Sequence, residues 1–382
     1  MKILMIGGGG FIGSATAEAL CRAGHDVIVA DVFDPQIHGA DIRRSPTFQR
    51  LGKEVEIRVA DARDPSAMEP LMRQAEAVYF FAAGTGTGQS MYQVRRYCDV
   101  NVMGAAVLAE SLPAHRDRLK RVVLSSSRAV YGEGAYRCAA HGKVTPSGRT
   151  ADRMRAGDWE PSCPICRGAL QTLASTETDA LLPTSIYGTT KLAQEQILFQ
   201  SCQGFGIPFV AYRYQNVYGP GQSLRNPYTG ILSIFCQLLA KREEVNVFED
   251  GLPTRDFVHI EDIVHYNLRA LELPPSESVI LNVGSGRGVT LIDVVKALAE
   301  ALGVEAGYRI SGEFRVGDIR HACADLGALS ARFGARDFIR FEDGVRDLVE
   351  WICRQGSNGL SGLAYRKSLE EMRQTGLLGG RQ

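Results

Sequence analysis

The chain has 382 residues, 45% of them hydrophobic and 23% charged, with 43 basic and 43 acidic side chains. That length accommodates one large core or two domains, and a formal net charge of zero leaves no basic excess of the kind that nucleic acid or an anionic membrane surface selects. No uncharged apolar run reaches the roughly 18 residues that a membrane span requires.

The first half alternates strand and helix. KILMIG, HDVIVAD, EVEIRVAD, AEAVYFFAA and LKRVVLSSS are apolar at nearly every position, as strands covered on both faces must be. Helical patterns such as SATAEALCRAG separate them, and IPFVAYRY follows the helix that begins near Tyr187. This alternation predicts a Rossmann-type α/β fold, a doubly wound parallel sheet, over residues 1–217. The opening strand follows no basic-then-apolar leader. With an odd count of nine cysteines, this leads us to expect a reduced, cytoplasmic setting. Cys21, Cys98, Cys202, Cys236 and Cys353 sit in apolar contexts and are expected to pack as small hydrophobes.

After Tyr218 the texture changes to loops, the run ILSIFCQLLAKREE and a short strand VNVFED. RDFVHIEDIVHYNLRALELP reads as a turn entering a helix, VTLIDVVKALAEALG as a helix and FEDGVRDLVEWICRQ as a closing helix. Residues 218–355 are therefore expected to form a smaller substrate lobe, with a segment near 258–284 returning through VILNVG to the main sheet. The tail, 356–382, is weakly helical with Gly-rich ends, and is either frayed or an arm against a neighbour.

Three stretches carry chemistry. The first strand runs into GGGGFIGS, where Gly7, Gly10 and Gly13 are spaced G-x-x-G-x-x-G. A tight turn followed by a helix N-terminus is the geometry that holds a pyrophosphate. Asp31 ends the next strand, where a carboxylate accepts ribose hydroxyls and repels a 2′-phosphate, so NAD is expected over NADP. Asp61 ends EIRVAD and is placed either for the adenine edge or as a turn or helix cap.

The second stretch is SSSRAVYG, which ends another strand at the edge where such sheets bind ligands. Further on, in TSIYGTTKLAQEQIL, Tyr187 and Lys191 share a helix face. A nearby cation lowers a phenol pKa and lets tyrosine act as a base, while Ser127 is placed to hydrogen-bond the reacting oxygen.

The third is an insert, residues 133–180. It holds Cys138 and His141 at C-x-x-H spacing, then Cys163 and Cys166 at C-x-x-C spacing, with Gly142 and Gly168 as turn residues. Two short pairs separated by a polar stretch suit one tetrahedral ion, a closed and therefore structural Zn2+. The polar stretch is too poor in apolar residues to build its own core, so metal binding would supply the folding energy. A loop of free thiols, or a Cys163–Cys166 redox pair, is the alternative.

Together GGGGFIGS, SSSRAVYG, YGTTK, YRYQNVYGPGQ and RDFVHIEDI resemble the extended short-chain dehydrogenase/reductase family, the NAD-dependent epimerases and dehydratases of nucleotide sugars, from residue 1 to about residue 350. The resemblance implies NAD held by Gly7, Gly10, Phe11, Ile12, Gly13, Asp31, Asp61, Ala62, Ala83, Asn101, Tyr187 and Lys191. It implies Tyr187 as base, with Ser127 and Lys191 as its partners. Asn216, Arg255 and Arg320 fall where the family contacts the nucleotide diphosphate. Read locally, Arg255 is equally a partner for Asp256, and Asn216 a turn former. The resemblance further implies a homodimer through the helices containing Asn101 and Tyr187.

Dehydratases of this family carry an Asp-Glu pair after the residue corresponding to Ser127; here Arg128 and Ala129 stand in those positions. Elimination of water therefore lacks its acid and base, and 4-epimerisation by transient oxidation at C4 remains. GTGTGQSMYQVRRYCDVN and YQNVYGPGQSLRNPYTGILSIF resemble the branch that interconverts dTDP-L-rhamnose and dTDP-6-deoxy-L-talose. A UDP-hexose 4-epimerase or another 4-keto deoxysugar epimerase or reductase is the alternative. A non-catalytic NAD-binding scaffold is the remote one, since a scaffold has no use for Ser127, Tyr187 and Lys191 together.

Overall fold

The computed structural model describes residues 1–355 and 362–380. Five strands follow one another in the first third: β1 (Lys2–Ile6), β2 (Asp26–Asp31), β3 (Glu56–Val59), β4 (Ala77–Phe80) and β5 (Arg121–Ser127). The insert contributes β6 (Tyr136–Cys138), β7 (Gly142–Val144) and β8 (Leu170–Thr172). The chain then returns as β9 (Phe209–Tyr214) and continues through β10 (Asn216–Tyr218), β11 (Val245–Val247), β12 (Thr254–His259) and β13 (Val279–Val283). Last come β14 (Gly288–Thr290), β15 (Tyr308–Ile310), β16 (Phe314–Arg315) and β17 (Leu378–Gly379).

Seven of these strands form one parallel sheet, in the order β13-β9-β5-β4-β1-β2-β3. Side chains alternate between its faces: Ile3 and Met5 enter one buried cluster, Leu4 and Ile6 the other. Both faces being covered is why these strands carry no polar alternation. Strand order reverses beside β1, and the crevice at such a switch point, beyond the carboxyl ends of the strands, is where open α/β sheets bind ligands.

The second lobe has its own core, in which Leu232, Phe235, Val295 and Leu348 are buried. The segment near 258–284 does return: β13 pairs with β9, Val279 opposite Val210 and Val283 opposite Tyr214. Thr254–His259 corrects the expected turn. It is a strand between β10 and β14, with Phe257 and Val258 both buried because its two faces meet different cores.

The tail is also corrected over residues 362–380. A helix, Gly362–Gln374, buries Tyr365, Leu369 and Met372 in the second core, and β17 pairs with β16. The beginning of the tail, 356–361, lies outside the described residues. Of the cysteines expected to be buried, Cys202 and Cys236 are, Cys21 is half-buried, and Cys98 and Cys353 are exposed. The apolar neighbours of those two in sequence point inward while the thiols point out. Among the described residues no helix is long and apolar enough to cross a membrane.

Candidate functional site

The glycine turn fits a dinucleotide. Gly7 has φ +80°, and a Cβ there would lie 2.3 Å from the Ala82 nitrogen, so only glycine lets β1 and the end of β4 pass this closely. A Cβ at Gly13 would lie 2.7 Å from Gly8 Cα. The helix Phe11–Arg22 begins at Gly10 and carries Phe11 and Ile12 in its first turn. Its first amides face the turn, where a pyrophosphate is stabilised by N–H groups and by the helix dipole.

Asp31 stands at the carboxyl end of β2 and accepts hydrogen bonds from Gly9 N (2.9 Å) and Phe33 N (2.8 Å). Burial pushes its carboxyl up, and those two amides pull it back. Asp61 behaves as a turn residue: its Oδ1 accepts from Arg63 N, and the Arg63 guanidinium grips both its oxygens. The cap of the next helix is Asp64 instead. Ala62 lies against Gly104, and Ala83 precedes Gly84 in the loop after β4. Asn101 is fully buried, its side chain spanning Gly84 N (2.7 Å), Gly84 O (3.2 Å) and Thr190 Oγ1 (2.8 Å). It thereby ties the loop after β4 to the helix that carries Tyr187.

That helix, Ile186–Phe205, is capped by Ser185, whose Oγ accepts from Gly188 N (3.1 Å), and ends on left-handed Gly206. Its second amide, Tyr187 N, donates to Ser90 Oγ (3.0 Å), anchoring it to the GTGTGQS loop. Ser127 ends β5, and its Oγ accepts from Ala129 N (3.1 Å). Enclosure pushes the Tyr187 phenol up, while its hydrogen bond to Ser127 and the charge of Arg128 pull it down.

Here the structure departs from the expected electrostatics. Lys191 Nζ donates to Ser125 O (2.5 Å) and Gln194 Oε1 (2.9 Å), and its burial lowers its own pKa to about 7. The charge of Arg128, noted from the sequence only as a missing acid, pulls the phenol pKa down. Its guanidinium donates to Gly132 O (2.7 Å), and burial lowers its pKa to about 10.

Farther from the turn, Asn216 on β10 stands opposite Phe257 on β12, two residues from Arg255 and on the same face. Arg255 does not pair with Asp256. It donates to Asp318 Oδ1 (3.0 Å) and to the carbonyls of Thr254, Ile319 and Arg320, while Asp256 accepts from Ser285, Gly286 and Ala324.

Arg320 is not brought to this group. It is buried, and all three of its guanidinium nitrogens are held by carboxylates: Glu160 (2.7 Å), Glu249 (3.0 Å) and both oxygens of Asp250 (2.6 and 2.7 Å). Three carboxylates neutralise the charge that was expected to meet a diphosphate. Arg315, passed over in the sequence, is held differently. Its Nε is buried without a hydrogen-bond partner, its guanidinium lies 5.0 Å from the Phe248 ring, and it precedes the turn whose Gly317 carbonyl accepts from Thr184. Nothing in the RVGDIR string separates these two arginines; only their partners do.

In the insert, Cys138, His141, Cys163 and Cys166 converge, their ligand atoms all within 4.8 Å of one another. They lie on the β6–β7 hairpin and on the turn before β8, outside the group around Tyr187.

The model of the family described as "NAD dependent epimerase/dehydratase family" matches residues 3–152 and 167–284, so the break in the match falls inside the insert. A dTDP-L-rhamnose 4-epimerase of Burkholderia thailandensis is 36% identical over 356 residues, 93% of this chain and 95% of that protein. Among solved structures, the UDP-glucose 4-epimerase of Thermotoga maritima with UDP-glucose is similar at TM-score 0.74 and 27% identity, over 93% of this chain and 99% of that one. The Thermus thermophilus UDP-glucose 4-epimerase in complex with NAD is similar at TM-score 0.72 and 26% identity, over 94% and 100%.

Proposed function

The chain belongs to the NAD-dependent epimerase/dehydratase family, and from that premise we propose that it interconverts dTDP-L-rhamnose and dTDP-6-deoxy-L-talose by epimerisation at C4. An NAD-dependent nucleotide-sugar 4-epimerase is the activity common to its relatives. The observation that carries the reading is the meeting of Ser127, Arg128 and Tyr187, where hydroxyl and guanidinium both pull the phenol pKa down, with Arg128 and Ala129 standing where dehydratases carry an Asp-Glu pair. The 36% identity to a dTDP-L-rhamnose 4-epimerase supports the deoxysugar substrate.

In this reading Gly7, Gly10, Phe11, Ile12 and Gly13 cradle the pyrophosphate, and Asp31 takes the adenosine ribose. Ala62, Ala83 and Asn101 line the way to the nicotinamide. NAD, when bound there, would supply the hydride acceptor and donor for C4. Tyr187 accepts the proton of the C4 hydroxyl and gives it back. Ser127 holds the same oxygen through its hydroxyl, and charge near the phenol favours the ionised form of the base. Lys191, buried beneath the helix, keeps Tyr187 over the end of β5 through Ser125. Asn216 and Arg255 meet the diphosphate, and Arg315 takes the place first given to Arg320.

The reading includes a homodimer through the helices containing Asn101 and Tyr187, the first running on from Cys98–Met103 into Gly104–His115, which packs beside Ile186–Phe205. A cytoplasmic setting is part of the reading, on the odd count of nine cysteines in a chain of this length. A Zn2+ ion on Cys138, His141, Cys163 and Cys166 has no step in this reaction.

Assay of the purified protein with dTDP-L-rhamnose and with UDP-glucose tests the substrate. Conversion of dTDP-L-rhamnose to a 4-epimer is expected, and turnover confined to UDP-glucose would overturn the deoxysugar assignment. Tyr187→Phe is expected to keep NAD bound and to lose roughly 10²–10⁴ in kcat; unchanged turnover would remove Tyr187 from its role.

A further inference from the structure

The Cys138 sulfur lies 3.5 Å from His141 Nδ1 and 3.7 Å from the Cys166 sulfur, and the Cys163 sulfur lies 3.7 Å from His141 Nδ1. Metal–sulfur bonds of about 2.3 Å and metal–nitrogen bonds of about 2.0–2.1 Å set tetrahedral edges of about 3.8 Å between sulfurs and about 3.6 Å between sulfur and nitrogen. Three of the six edges thus match those a zinc ion requires, and all four ligand atoms lie within 4.8 Å of one another. Two turns bring them there. Cys138 and His141 flank the β6–β7 hairpin, where Cys138 pairs with Gly142. Cys163 and Cys166 lie in a turn closed by Cys163 N to Gly168 O and Arg167 N to Cys163 O, both 2.9 Å, with Arg167 held at φ +62°. A non-glycine residue in that region is strained unless its surroundings enforce it.

The stretch between the two ligand pairs has only a small apolar cluster. Its apolar cluster is Met154 and Trp159 packed on Phe314 of the second lobe. What it delivers instead is a buried guanidinium. Arg149 donates to Glu133 (3.2 Å), to both oxygens of Glu249 (2.7 and 2.8 Å) and to the main-chain oxygens of Trp159 and Asp318 (both 3.1 Å). Asp318 in turn accepts from Arg255 (3.0 Å). Contacts therefore run from Trp159, four residues before Cys163 in the chain, through Arg149 and Asp318 to the arginine read above as a diphosphate contact.

We propose that Cys138, His141, Cys163 and Cys166 bind one structural Zn2+, and that this ion closes a strut whose Arg149 positions Arg255 for the nucleotide diphosphate. Four protein ligands fill the coordination sphere and leave no open position for a substrate or water, which is the mark of a structural site. Thiolate and imidazole donors in a tetrahedron suit zinc. Arg149 is a positioning residue, acting on substrate through Asp318 and Arg255. The positioning half rests on the diphosphate reading of Arg255; the metal half does not.

The test begins with elemental analysis of the full chain purified without a metal-affinity tag, where about one zinc per chain is expected. Metal-free, active protein, or iron in its place, would overturn the site whatever the substrate proves to be. Cys163→Ser/Cys166→Ser is expected to lose the zinc and lower Tm, while NAD stays bound. Its KM for the nucleotide sugar should rise roughly tenfold with kcat less affected, the mark of lost ground-state binding. Arg149→Ala, which leaves all four ligands in place, should keep its zinc and show the same KM rise, with Arg149→Lys intermediate. Zinc loss or Arg149→Ala with an unchanged KM would overturn the strut.

Discussion

Gly188 lies directly under the carbonyl of Ala129: a Cβ on Gly188 would stand 2.6 Å from that oxygen and 3.0 Å from Pro183 Cβ. This contact sets how closely the Tyr187 helix approaches the chain that leaves Ser127. Gly188→Ala gains about 1 kcal/mol of helix propensity but must push the helix off its seat. We expect a net loss of about 1–3 kcal/mol in stability. We also expect a larger fall in kcat than in NAD affinity, because Tyr187 moves relative to Ser127 and the glycine turn does not. Denaturant titration and steady-state kinetics measure both; full activity would show that the approach is not needed.

Arg128 lowers the Tyr187 phenol pKa against the upward push of burial. Removing that charge in Arg128→Met leaves the phenol higher, so less of it is ionised at any given pH. The acidic limb of the kcat–pH profile should move to higher pH, and Arg128→Lys should hold it nearer the original. An unmoved limb in the Met variant would assign the tuning elsewhere.

Lys191 has its pKa lowered to about 7 by burial, against about 10.4 in an unfolded chain. Between those values the unfolded chain binds the proton and the folded one does not. Stability from this group is therefore fully present above about pH 10.4 and is lost as pH falls toward about 7. Lys191→Met should flatten the rise of stability between pH 7 and 10. Parallel wild-type and variant curves across that range would contradict the burial argument.

Asp31 is expected to hold NAD over NADP by repelling the 2′-phosphate. Asp31→Ala should narrow the gap between the two affinities in calorimetric titration. The variant should also lose some stability, because Gly9 N and Phe33 N lose their acceptor. Equal affinities in the unaltered protein would refute the role.

The C-terminal helix joins two loops. Tyr92, beyond the GTGTGQS loop, and Tyr228 both donate to Glu371 (3.0 and 2.5 Å), while Leu369 is buried in the second core. Leu369→Ala should cost about 2–4 kcal/mol, and Glu371→Ala should make the tail the first site of limited proteolysis. A Leu369→Ala variant as stable as the parent would show that the helix does not hold the lobe.

The strands and the order of the motifs were legible in the sequence, because they rest on local regularities. A run such as HDVIVAD has no polar face to show to water, G-x-x-G-x-x-G after a strand marks a tight turn into a helix, and C-x-x-C already implies a turn. What the tertiary structure decided is pairing between residues far apart in the chain. RDFVHIEDI reads as a turn until β10 and β14 supply its hydrogen-bond partners. Arg320 and Arg315 are alike in sequence, yet Glu160, Glu249 and Asp250 neutralise the first while the second keeps an unpartnered nitrogen. Arg128 looked like an absence of acid and became a charge beside the phenol. Local sequence fixes backbone preference and burial pattern, whereas a charged group's role depends on which opposite charges the fold brings within a few ångströms.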